Sequence, residues 1–180
     1  MKTGFLGVTL ATLFILLANV ASAQDYDKGH VQFGARYGGT LYIPFAGEQF
    51  EEVTAAWRFN RQHSLGLGTG VVQVAQSCDD EPWKENGTVQ AIPLFLEYTC
   101  FIPFRHFDQH SFTLGTSIGG AWFVDELPLK DSSQRAFGLL RFSPGLDFKL
   151  YRRLHLDIGL NIQYEFDDIP GFGAQVGLRF

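Results

Sequence analysis

Five apolar residues, Phe172, Ala174, Val176, Leu178 and Phe180, alternate with Gly173, Gln175, Gly177 and Arg179. A period of two places the first set on one face of a β-strand and the second on the other. A strand that is wholly apolar on one side, and glycine-rich and polar on the other, fits a wall between hydrocarbon and a polar interior. The preceding segment obeys the same rule. Leu154, Leu156, Ile158, Leu160, Ile162, Tyr164 and Phe166 oppose His155, Asp157, Gly159, Asn161, Gln163 and Glu165.

Six further segments share this alternation. Residues 31–43 set Phe33, Ala35, Tyr37, Leu41 and Ile43 against Gln32, Gly34, Arg36, Gly38 and Thr40. Residues 52–60 set Val53, Ala55, Trp57 and Phe59 against Thr54, Ala56 and Arg58, and residues 65–76 set Leu65, Leu67 and Val71 against three glycines. Residues 88–102 carry Ile92, Leu94, Leu96 and Tyr98 on one face and Glu97 on the other. The fifth segment opposes Phe112, Leu114, Ile118, Trp122 and Val124 to Thr113, Gly115, Ser117, Gly119 and Ala121. The sixth opposes Leu140, Phe142, Leu146, Phe148 and Leu150 to Arg141, Ser143 and Asp147, with Pro144 predicting a local defect in its ladder.

Eight alternating segments predict an all-β chain, an eight-stranded antiparallel up-and-down barrel that crosses a membrane. Mean hydropathy near zero excludes a membrane helical bundle but not a barrel, whose strands average themselves out. A soluble barrel would turn its apolar face inward and show water many Lys and Glu. Here the polar face is instead rich in Gly, Ser and Thr with isolated charges, which suits a narrow inner wall. The net charge of −5 argues against nucleic acid as a partner.

The N-terminus has the form of an export signal. Lys2 precedes an apolar run over 5–18, and Ala21-Ser22-Ala23 before Gln24 fits a cleavage site. The expected organisation is a signal peptide over 1–23 and one barrel domain over 24–180. The connections at one end, over 44–51, 77–87, 125–135 and 167–171, are acidic, and those at the other hold Arg61, His63, Arg105, His106, His110, Arg152 and Arg153. With an even strand count both termini are periplasmic and the acidic connections external.

Over its mature length the chain resembles the small eight-stranded outer-membrane proteins, the OmpA-like and OmpX-like barrels. The apolar strand with Phe172, Val176, Leu178 and terminal Phe180 also resembles the sorting signal read by the bacterial barrel-assembly machinery. That resemblance implies an outer-membrane location. It further implies a monomer surrounded by outer-membrane lipids and lipopolysaccharide, with that machinery as a partner in biogenesis. Deleting Phe180 is accordingly expected to reduce insertion and leave protein in the periplasm; normal heat-modifiable, membrane-embedded protein would contradict it.

The inward charges are predicted to be Arg36, Arg58, Glu97, Arg141, Asp147, Asp157, Glu165 and Arg179, joined by His155. An eight-stranded barrel is only wide enough for side chains, so these residues are expected to pack as a hydrogen-bonded ion network. A narrow polar pathway or gate is the alternative. An enzyme resembling the PagL-like lipid A deacylases would need their His-x-Ser-Asn motif, in which a base activates the serine. The corresponding late strand reads Gln163-Tyr164-Glu165-Phe166, and the His63-Ser64 and His110-Ser111 pairs point to opposite faces and read as turn residues. No catalytic residue, metal ligand or cofactor site is therefore predicted.

Asp79-Asp80-Glu81 lacks the spacing of a calcium loop, and Asn86-Gly87 reads as a turn. Cys78 and Cys100 suggest a disulfide by count, but a strand of ~10 residues would hold them roughly 30 Å apart, which argues against one.

Overall fold

A computed structural model describes residues 29–42, 46–75, 88–105, 107–124, 136–165 and 170–180. The eight strands are β1 (His30–Tyr42), β2 (Ala46–Arg58), β3 (His63–Ala75), β4 (Thr88–Phe104), β5 (Phe107–Phe123), β6 (Ala136–Tyr151), β7 (Leu154–Glu165) and β8 (Gly171–Arg179). Each pairs with its sequence neighbours, and β8 closes on β1 to complete the barrel. At the seam Phe180 exchanges backbone hydrogen bonds with Phe33, at 2.9 and 3.2 Å.

The register fixes the geometry. Followed from Leu41, one row passes through Phe172, Ile162, Phe142, Thr116, Tyr98, Leu65 and Trp57 and returns to β1 at Val31. The stagger of ten residues from Leu41 to Val31 requires strands tilted by about 40°. Such a barrel encloses only side chains. Pro144 interrupts the β6–β7 ladder, which passes from Phe142–Ile162 to Gly145–Gly159 without changing register.

The faces divide as the alternation requires. Leu41 (70% exposed), Leu67, Leu94, Ile118, Leu160 (61%) and Val176 point outward, whereas Gln32, Ser64, Arg141, Asp147 and Gln163 are buried. So large an apolar exterior would not persist in water; a closed barrel carrying this belt is an outer-membrane architecture. Trp57, Trp122, Tyr151, Tyr164 and Phe172 stand outward near strand ends, where aromatic girdles meet the two interfaces.

Three sequence expectations are corrected. The 44–51 connection is mostly strand: β2 begins at Ala46, so Glu48 and Glu51 belong to the wall and Glu48 is buried inside. Its run of Glu and Gln masked the alternation, because two consecutive polar residues hide a period of two. His110-Ser111 lies within β5 rather than in a turn, and His63 opens β3. The polar face is also not uniformly small, since Phe50, Phe95 and Phe101 point inward and are buried. Glycines on neighbouring strands admit two of these rings. A Cβ at Gly38 would overlap the Phe50 ring, and one at Gly68 would overlap Phe95.

Candidate functional site

The interior is stacked in layers set by strand phase. At the end where β1 finishes and β2 begins, Phe50, Val72, Ala91 and Ala121 form an apolar cluster, against which Val74, Phe123 and Phe137 pack. This cluster occupies the β2–β6 side of the mouth. Across from it, β1, β2 and β7 supply polar groups: Gln163 Nε2 donates to the Tyr42 hydroxyl (2.6 Å) and to Glu48 Oε2 (2.7 Å), and Tyr42 donates to Glu48 (2.8 Å).

Beneath lies the first ion cluster. Arg141 Nη1 reaches both carboxylate oxygens of Glu52, at 2.9 and 2.8 Å, and Arg141 Nε donates to Gln163 Oε1 at 2.8 Å. Arg36 bridges Glu52 and Glu97, at 2.5 Å to each, and Ser117 Oγ donates to Glu97 at 3.2 Å. Glu52 therefore sits between two guanidiniums while only 2% exposed, a burial that a carboxylate tolerates only when so paired. The guanidiniums also lie over aromatic faces, Arg141 over Phe50 at 4.3 Å and Arg36 over Phe95 at 5.1 Å, which helps to replace lost water.

The second cluster lies toward the opposite end, which holds the β2–β3 turn. Asp147 accepts from Arg179 at 2.6 Å and pairs with His155 Nδ1 at 3.0 Å, while Arg179 also reaches Asp157 at 3.3 Å. Phe101 is held between Arg179 and Arg58, at 4.5 and 4.1 Å from its centroid. Arg58 also donates to the carbonyls of Asn60 and Arg61, fixing the β2–β3 turn. Between the clusters is a cavity of about 60 Å³, bounded by Arg36 and Glu97 on one side and by Asp157 and Arg179 on the other. Arg36 Nη2, Ser143 Oγ and Gln175 Oε1 are buried without a protein partner, and all three residues line this cavity. Its size and polarity suit about two waters.

Of the interior charges predicted from sequence, Arg36, Glu97 and Arg141 share the upper cluster, and Asp147, His155, Asp157 and Arg179 the lower. Arg58 stands beside the lower cluster at the turn. Register places Glu165 opposite Leu139, and its side chain lies outside what the structure describes. Glu52, which joins Arg36 to Arg141, was missed because it was read as the first residue of a strand. Its parity with Thr54, Ala56 and Arg58 is the signal that places it inside.

The sorting-strand residues Phe172, Val176 and Leu178 are outward and exposed on β8. His63 stacks between Phe59 and Tyr98 and hydrogen-bonds the Tyr98 hydroxyl at 2.7 Å, whereas its neighbour Ser64 is buried inside. His110 Nδ1 accepts from the Lys149 amide at 3.3 Å while Ser111 faces the interior, so neither pair presents a serine beside a base. Cys100 is a free thiol paired in register with His63. Cys78, Asp79, Asp80, Glu81, Asn86 and the signal segment over 1–23 lie outside the described residues.

No family model matches the chain, and no curated protein matches it. Among solved structures it is similar to the crystal structure of Neisserial surface protein A (NspA), with a TM-score of 0.57 and 14% identity over 84% of this chain and 95% of that one. At that identity the likeness is one of fold.

Proposed function

We propose that the chain is a monomeric, non-enzymatic barrel of the bacterial outer membrane that supports the membrane or meets surface partners through its acidic external connections. The observation that carries this reading is the filled interior. An apolar cluster, two paired ion clusters and a cavity of about 60 Å³ between them suit a packed core better than a conduit. Its surroundings would be outer-membrane lipids and lipopolysaccharide, and the barrel-assembly machinery would insert it. The purified barrel in planar bilayers is expected to give no steady conductance, and its expression no change in lipid A mass. A large stable conductance would favour a small-solute channel instead, and a shortened lipid A a barrel enzyme.

A further inference from the structure

One register row carries a feature that the filled interior does not explain. Ala174 of β8 pairs with Gly39 of β1, Gly39 with Gln49 of β2, Gln49 with Gln73 of β3, and Gln73 with Gln90 of β4. All five are outward by strand phase. Because Gly39 and Ala174 project almost nothing, the wall is recessed there. Leu41 and Phe172 stand above the recess, and the groove of about 650 Å³ continues along Gln49 and Gln73.

The tilt gives this row a direction. With strands inclined by about 40°, each residue climbs about 2.5 Å along the axis, and each step from one strand to the next in a row changes height by about 3 Å. The external rim of the belt, traced by Leu41, Tyr164, Trp122 and Ile92, then lies level to within about 4 Å. Relative to Leu41, Gln49 and Gln73 lie at the rim, Gln90 about 4 Å above it, and Ala174 about 8 Å below it in hydrocarbon. Glu51, outward and exposed, pairs with Tyr37 and Val71 about 7 Å below the rim, nearly level with Ala174.

Resting on the outer-membrane reading and on external placement of the acidic connections, we propose that this groove docks one lipopolysaccharide molecule of the outer leaflet. An acyl chain lies over Gly39 and Ala174, and the saccharide head meets the amides of Gln49, Gln73 and Gln90. Each amide offers two donors and an acceptor, which suits sugar hydroxyls. The polar end at the rim and the apolar end in hydrocarbon match the direction of an outer-leaflet lipid. A two-fold contact with a second copy fits less well, because it would bring Glu51 toward its own kind without an outward cation among the described residues of β1, β2 and β3.

The test is native mass spectrometry of the full barrel extracted from vesicles of phosphatidylethanolamine and phosphatidylglycerol containing lipopolysaccharide and Mg²⁺. The wild type is expected to retain one lipopolysaccharide in preference to phospholipid. Ala174→Phe, which fills the groove, and the double variant Gln49→Leu/Gln73→Leu should each lower retention by roughly tenfold. Ala55→Phe, outward on the periplasmic half of β2, should not. Equal retention of phospholipid, retention indifferent to Ala174→Phe, or a dimer lost in that variant would overturn the proposal while leaving the outer-membrane reading intact. A barrel that inserted into no vesicle would overturn both.

Discussion

Replacing Glu52 with alanine is expected to destabilise the barrel by about 3–5 kcal/mol in a reversible urea titration in lipid vesicles, the range for breaking a buried ion pair from one side. The cost comes from what remains. Arg141, fully buried, would retain Gln163 and the Phe50 ring, and Arg36 would keep Glu97 and the Phe95 ring. Glu97→Ala should cost less, because Glu97 is partly exposed beside the cavity and Arg36 would still hold Glu52. The paired variant Glu52→Leu/Arg141→Met removes both charges and should recover much of the loss, since well-packed apolar groups can replace a buried pair nearly neutrally. Equal stability of wild type and Glu52→Ala would show that the upper cluster is hydrated rather than packed.

Leu160→Arg is expected to cost about 2–4 kcal/mol, the penalty for a cation on the lipid face near the bilayer midplane. Leu160 is 61% exposed and carries the middle of the β7 apolar column, between Ile158 and Ile162. Its neighbour Asn161 is 1% exposed and accepts from Thr40 Oγ1 at 3.3 Å, while its Nδ2 has no protein partner. Asn161→Ser removes that unpaired donor together with one modest hydrogen bond, so a change within about 1 kcal/mol is expected. The opposite order of sensitivity would mean an inward apolar face, and the membrane assignment would fall.

The interior was only partly legible. Arg36, Glu97, Arg141, Asp147, Asp157 and Arg179 announce their direction because they sit in columns of Gly, Ser and Thr that alternate with large apolar residues. Glu48 and Glu52 do not, because Glu48, Gln49, Glu51 and Glu52 put polar residues on both faces of this part of β2 and the alternation fades. The inward Phe50 and Phe95 are masked for a related reason. A phenyl ring on the polar face contradicts the pattern unless the facing glycine is known, and Gly38 and Gly68 lie on neighbouring strands whose register is not written in β2 or β4 alone.

Alternation by itself determined the strand count, the antiparallel meander and the face that meets lipid, because hydrocarbon outside and side chains inside act on every second residue alike. Which charges meet was decided only by closure. Arg141 and Glu52 are 89 residues apart in the chain, and Gln163 and Tyr42 are 121 apart. A ten-residue stagger brings them to one level. Register is a property of strand pairs, set by the whole barrel at once, so Arg36 finds two carboxylates and Phe101 two guanidiniums only after β8 has paired with β1.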